Sequence, residues 1–143
     1  MRQIIVMNRN DAIKFSYKIP QMHEKFAIIS ISEIEDKPPS FCTSENLLSV
    51  LTLQFDDVDR DESEYLCMRE SDAEKIKQFI SYFSEKIDVL IVHCLAGRSR
   101  SVGVASAISK WYFNDDSEFF SHYNPNMHVY RLTLEKLLEE GTT

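Results

Sequence analysis

Three short runs along the chain are apolar and β-branched with almost no polar residue between them: Ile4 to Met7, Phe26 to Ile31, and Asp88 to His93, which reads Asp-Val-Leu-Ile-Val-His. Continuous runs of this kind suit strands buried on both faces, as in a parallel sheet covered by helices. A fourth run, Val50 to Phe55, alternates more. Helical patterns fall between and after them. Asn10 and Asp11 can cap a short helix through about Tyr17, stopped by Pro20. Ser71 with Glu74 reads as a capping box for a helix over Asp72 to Glu85, on which Ile76, Phe79, Ile80 and Phe83 form an apolar stripe. Arg100 to Phe113 is apolar almost all round, as suits a helix packed against a sheet, and Pro125 and Asn126 open a last helix through about Glu139. Val129, Leu132, Leu134, Leu137 and Leu138 lie mostly on its inner side. Strands alternating with helices predict an α/β fold, with a central, mostly parallel sheet of about four to five strands flanked by helices.

The length of 143 residues fits one domain over 1–143. With 16 Lys+Arg against 23 Asp+Glu the formal charge is −7. That balance argues against a general binder of nucleic acid or of anionic membranes, since both need clustered cations. No apolar run reaches the length of a membrane span, and Arg2, Arg9, Asp11, Lys14 and Lys18 break up the start of the chain, unlike a signal peptide; a cytoplasmic protein is expected. Cys42, Cys67 and Cys94 are odd in number and include no Cys-x-x-Cys pair, so neither a disulfide framework nor a zinc ribbon is indicated. His23, His93, His122 and His128 show no ligand spacing, and His122 and His128 read as flanking a turn, so no metal and no cofactor is expected. One stretch is anomalous: Asp56 to Glu70 is rich in Asp and Glu, lacks apolar periodicity and separates a strand from a helix. A loop of that length tends to be functional or mobile, and its plainer reading is a solvated acidic loop.

The chemistry concentrates at residues 93–101, His-Cys-Leu-Ala-Gly-Arg-Ser-Arg-Ser, between a buried strand and a buried helix. At such a turn the backbone N–H groups lack intrahelical acceptors and the helix dipole adds positive potential, so the turn binds anions. None of Leu95, Ala96, Gly97, Arg98, Ser99 and Arg100 is proline, and up to six amides can converge on one oxyanion, with Gly97 free to adopt a conformation closed to other residues. Cys94, at the base of the turn, is expected to have a depressed pKa and to act as a nucleophile beneath a bound phosphate. Arg100, six positions on, can hold two phosphate oxygens with its guanidinium fork. Ser101 either donates its hydroxyl to the Cys94 sulfur or is simply a first-turn helix residue. His93 precedes Cys94 on a strand, so its side chain points to the opposite face, where it supports the loop backbone rather than acting as a base. Arg98 points outward, either attracting an anionic substrate or merely exposed.

The segment Val92-His93-Cys94-Leu95-Ala96-Gly97-Arg98-Ser99-Arg100-Ser101 resembles the His-Cys-x5-Arg-Ser/Thr signature of the cysteine-dependent protein tyrosine phosphatases, and its Ala-Gly-x-Ser-Arg-Ser core is most similar to the compact dual-specificity branch. The resemblance extends from about Phe26 to Leu138 and includes Asn124-Pro125-Asn126 ahead of the last helix. It implies a cysteinyl-phosphate intermediate on Cys94, phosphate binding by Arg100, and a general acid on an upstream loop. Aligning the strand end Leu51-Thr52-Leu53-Gln54-Phe55-Asp56-Asp57 with the family's apolar-x-apolar-x-Asp pattern puts that acid at Asp57, with Asp56 the near alternative and Asp59 the third. The 37 positions from Asp57 to Cys94 exceed the family's usual gap. Low-molecular-weight phosphatases carry their Cys-x5-Arg loop at the N-terminus with the acid downstream; here the order is reversed.

The expected activity is hydrolysis of phosphomonoesters in phosphorylated proteins or peptides, on phosphotyrosine and in addition phosphoserine/threonine, by a monomer. Phosphate, sulfate and vanadate are the expected loop ligands, with no nucleic-acid or membrane partner. Two alternatives remain at this stage: an inositol phosphate or phosphoinositide as substrate, and a phosphate-binding module without catalysis.

Overall fold

The computed structural model describes residues 1–139. The β-branched runs form four strands, β1 (Gln3–Asn8), β2 (Phe26–Ser32), β3 (Leu47–Gln54) and β4 (Val89–Cys94), in the spatial order β1-β4-β2-β3, with every pairing parallel. The expected α/β class is therefore what is found, with four strands. The central strands β2 and β4 are buried along their whole length, which is why their sequences do not alternate. β3 lies on the sheet edge and is half-buried, which accounts for its more alternating pattern; it also begins three residues earlier than Val50.

The pleat divides the side chains between two cores. Ala27, Ile29 and Ile31 of β2 and Leu90, Val92 and Cys94 of β4 pack with α2 (Glu70–Phe83), α3 (Arg100–Phe113) and α5 (Met127–Leu138). Phe26 and Ile28 with Val89 and Ile91 face the opposite side, under α1 (Arg9–Ser16) and a 3-10 turn at Ile19–Gln21. Ile76 and Ile80 on the predicted stripe of α2 are fully buried, each contributing about 1.5–3 kcal/mol by apolar burial. In α3 the ten residues Arg100 to Ser109 are all buried, as its all-round apolar sequence requires.

The helix starts differ from the sequence reading. α1 is capped by Asn8, whose side chain accepts the Asp11 N–H, rather than by Asn10 or Asp11, which are helical. At α2 the expected Ser71 and Glu74 capping box is not used: the helix begins at Glu70, and the Asp72 carboxylate accepts the Arg69 N–H at 2.9 Å. Asp can do what Glu was expected to do at the third helical position, two residues earlier. A short helix, α4 (Ser117–His122), was not predicted; six residues with no buried member carry no periodic signal. His122 ends it and His128 lies in α5, so a turn does separate them. Among the described residues no helix is long and apolar enough to cross a membrane.

Because all strands run the same way, Asn8, Ser32, Gln54 and Cys94 end on one edge of the sheet. The carboxyl edge of such a sheet is where open α/β folds place ligands. The loops after β2, β3 and β4 meet there.

Candidate active site

Cys94 is the last residue of β4 and is 2% exposed, at the floor of the loop that leads into α3. The loop is held against the end of β1. Gly97 has φ +67°, and a Cβ there would stand 2.6 Å from the Asn8 nitrogen and the Met7 carbonyl carbon, so this position requires glycine. The Arg9 N–H donates to the Leu95 carbonyl at 3.2 Å, and the Ser99 carbonyl accepts the Gly103 N–H at 2.9 Å and the Asn126 N–H at 3.1 Å. Leu95, Ala96 and Arg98 are exposed on the outer rim of the loop.

The donors around the sulfur favour its ionisation. Burial opposes a thiolate, but the Ser101 hydroxyl at 3.1 Å, the Ser101 and Gly97 N–H groups and the Arg100 charge overcome that penalty and lower the Cys94 pKa below the ordinary thiol value. A low-dielectric floor with inward-pointing N–H groups is also what a phosphate dianion needs. Ser101 is the second residue of α3, and its hydroxyl turns to the sulfur.

Arg100 opens α3 and is 4% exposed. Its Nη1 donates to the Phe55 carbonyl at 2.9 Å and its Nη2 pairs with the Glu33 carboxylate. Partial burial works against the Glu33 carboxylate, and the Arg100 guanidinium more than offsets it, holding the Glu33 pKa below the usual range. The Arg100 Nε is buried and has no acceptor among the described residues. A buried donor left this way costs about 1–3 kcal/mol, which an oxyanion in the loop would relieve. Glu33 was not singled out in the sequence. It follows directly on the buried strand β2, at the carboxyl edge where α/β sheets hold ligands, and that position was the available signal.

His93 lies on the other side of the sheet, as strand alternation requires. It is fully buried, its Nε2 is 2.6 Å from Ser30 Oγ, its Nδ1 is 3.4 Å from the Cys94 carbonyl, and Phe41 packs edge-on at 5.6 Å. Nδ1 faces a carbonyl and so carries the proton, which leaves Nε2 to accept from the Ser30 hydroxyl. Burial, with Arg9 and Arg100 adding to it, lowers the His93 pKa from 6.5 to about 4. The unfolded chain therefore takes up a proton below pH 6.5 that the folded chain refuses until about pH 4. That linkage removes about 3 kcal/mol of stability as pH falls through this window. Urea midpoints measured at pH 7 and pH 4.5 are expected to drop accordingly, with the His93 ring nitrogens still neutral at pH 5 by NMR; a ring protonated at pH 5 in the folded protein would contradict this.

The two neighbouring aspartates separate clearly. Asp56 is buried: its Oδ2 accepts the Leu66 N–H at 2.8 Å, its Oδ1 the Ile34 N–H at 3.3 Å, and its own N–H donates to the Leu66 carbonyl at 2.7 Å. It closes the base of the acidic loop. Asp57 is exposed and faces the signature loop, its Oδ1 accepting from Ser99 Oγ at 2.9 Å and from Asn126 Nδ2 at 3.0 Å. Asp59 lies farther along the rim, in a cleft of about 910 Å³ with Asp57, Glu62, Ser99, Asn126 and Arg131. A second cleft of about 910 Å³, lined by Asn8, Asp11, Gly97, Arg98 and Tyr123, adjoins the loop from the β1 side. The acidic loop is itself braced: Asp61 pairs with Arg69 at 2.7 Å and accepts the Cys67 N–H at 3.1 Å. Burial and the Asp61 carboxylate push the Cys67 thiol up, so it is the opposite of Cys94. Among the described residues no cluster of three or more His, Cys, Asp or Glu is arranged to hold a metal ion.

No protein-family model matches the chain, and no curated protein matches it by sequence. Solved structures do. The chain is similar to the human tyrosine phosphatase-like serine/threonine/tyrosine-interacting protein, with a TM-score of 0.65 and 21% identity over 94% of this chain and 95% of the other. It is similar to human DUSP28, with a TM-score of 0.61 and 11% identity over 94% and 90%. It is also similar to PTPMT1 in complex with PI(5)P, with a TM-score of 0.56 and 17% identity over 96% and 93%. The chain has the fold of the dual-specificity phosphatases.

Proposed function

We propose that this chain is a cysteine-dependent phosphomonoesterase that hydrolyses phosphotyrosine, and phosphoserine or phosphothreonine, in proteins or peptides. The observation that carries the reading is the convergence of the Gly97 and Ser101 N–H groups and the Ser101 hydroxyl on the Cys94 sulfur, with the Arg100 charge beside it. In the first step the Cys94 thiolate attacks phosphorus, the bond to the ester oxygen breaks, and Asp57 gives that oxygen its proton. Arg100 and the loop amides hold the three non-bridging oxygens as charge develops on them. In the second step Asp57, now ionised, takes a proton from water as the water attacks the cysteinyl phosphate, and the thiolate leaves, stabilised by Ser101. Phosphate is released and each group returns to its starting state.

Asp57 rather than Asp56 is assigned the acid role because only Asp57 faces the loop; both Asp56 oxygens are taken by backbone donors. Turnover of p-nitrophenyl phosphate and of phosphotyrosine peptides tests this. The profile of kcat/KM against pH is expected to rise as Cys94 ionises, at a pH below the ordinary thiol range. Asp57→Ala is expected to lower kcat about 10²–10⁴-fold on phenyl phosphate with little change in KM. Asp56→Ala is expected to lower stability by about 1–3 kcal/mol and to leave kcat near wild type. The reverse ranking would move the acid to Asp56.

A phosphoinositide substrate is a second reading, favoured by one observation: PTPMT1, which shares the fold, was solved with PI(5)P. Against it stands the acidic rim of Asp57, Asp59 and Glu62, with Arg98 the one additional cation in the loop. A phosphopeptide panel run beside inositol phosphates separates the two, and tight vanadate binding without turnover of either would leave a binding module. A low-pKa thiolate is readily oxidised, which favours a reducing, cytoplasmic location.

A further inference from the structure

Asn126 lies between the acidic loop, the signature loop and α5, and its side-chain amide is divided between two tasks. Its Oδ1 accepts the Val129 N–H at 3.1 Å and caps α5. Its Nδ2 turns the other way and donates to Asp57 Oδ1 at 3.0 Å and to the Val58 carbonyl at 3.3 Å. The residue itself is fixed by its backbone. Its N–H donates to the Ser99 carbonyl at 3.1 Å, and α3 comes so close that a Cβ at Gly103 would stand 2.9 Å from the Asn126 carbonyl oxygen. An amide anchored on both neighbours of the acidic loop is a rigid donor, which is what holding an exposed carboxyl group in one orientation needs.

The second donor to Asp57, Ser99 Oγ, falls on the same oxygen. Among the described residues Oδ2 receives no hydrogen bond. Two N–H or O–H donors on Oδ1 leave that oxygen no proton to carry, so a protonated Asp57 bears its hydrogen on Oδ2. We infer that Asn126 is a positioning residue for proton transfer: it holds Asp57 by one oxygen so that the other delivers the proton to the departing ester oxygen. The inference rests on Asp57 being the general acid, and deepens that assignment.

A cap alone would be served equally by serine, which is as good as asparagine at this position but too short to reach Asp57. Asn126→Ser therefore removes the tether and keeps α5, which a urea midpoint close to wild type verifies. The readout is dependence on the leaving group. Phenyl phosphate needs its oxygen protonated, whereas 2,4-dinitrophenyl phosphate leaves as a stable anion without help. Asn126→Ser is expected to lose about tenfold or more in kcat on phenyl phosphate and less than about twofold on the dinitrophenyl ester, with KM and vanadate inhibition unchanged. In an Asp57→Ala background the same change is expected to cost nothing further on phenyl phosphate, because both substitutions remove one function. Equal losses on both esters, an added loss in that background, or no loss on phenyl phosphate would overturn the tether while leaving Asp57 as the acid. If Asp57→Ala itself shows no leaving-group dependence, or wild type turns over neither ester, the acid assignment fails and the tether with it.

Discussion

Cys94→Ser abolishes turnover of p-nitrophenyl phosphate, a loss of at least about 10⁴-fold in kcat, while the folded protein still binds vanadate and phosphate. The floor of the loop is built by backbone: Gly97 and Ser101 N–H groups, the Arg9 to Leu95 bond and the pressed contact of Gly97 on β1 do not depend on the sulfur. A serine hydroxyl fits the same space and can hydrogen-bond Ser101, so the oxyanion site survives. The reactive atom does not, because the same donors that lower the pKa of a thiol leave a hydroxyl, with its far higher pKa, protonated. Single-turnover and steady-state rates with isothermal titration of vanadate check both halves. Turnover above about 1% of wild type would remove Cys94 as the nucleophile.

Arg100→Lys is the second large effect, expected to lower kcat/KM about 10²–10³-fold although the charge is kept. The guanidinium is buried and spends Nη1 on the Phe55 carbonyl and Nη2 on Glu33, which fixes its plane and leaves Nε without a protein acceptor. A lysine ammonium is a point donor: it can satisfy Glu33 or the substrate, and lacks the planar fork that serves both. The loss is expected in both phosphate affinity and kcat, read from product inhibition and steady-state rates. A lysine variant with wild-type kinetics would mean that charge alone seats the oxyanion.

Glu33 and the two aspartates show where sequence reasoning stopped. Alternation along β4 was enough to send His93 and Cys94 to opposite faces, and the structure places them so, because a pleated strand obeys period two wherever it runs. The same rule gives out at the end of β3. Beyond Gln54 the chain leaves the sheet, Phe55 and Asp56 are both buried in succession, and Asp57 turns outward. Past the last ladder bond no period governs the side chains, so periodicity does not separate Asp56 from Asp57, and the preference for Asp57 rested on the family resemblance alone. Leu66, ten residues downstream, captures Asp56, and Asn126, from the other end of the chain, donates to Asp57. The capping of α2 by Asp72 rather than by Ser71 with Glu74 is a similar local ambiguity, since Ser, Asp and Glu crowd the same turn and several registers are nearly equal in energy.

From its residues alone the chain declared an α/β fold and the strand-to-helix turn at 93–101, because both are properties of contiguous sequence: side-chain period, and a short loop whose amides have no other partner. What reaches that turn from elsewhere was decided by the three-dimensional packing. The order β1-β4-β2-β3 brings the ends of β2 and β3 beside β4, and with them Glu33 and Asp57, while α3 and α5 meeting at Gly103 deliver Asn126. Such contacts join residues dozens of positions apart, and their pairing follows from how layers bury apolar faces against one another, which no local pattern encodes.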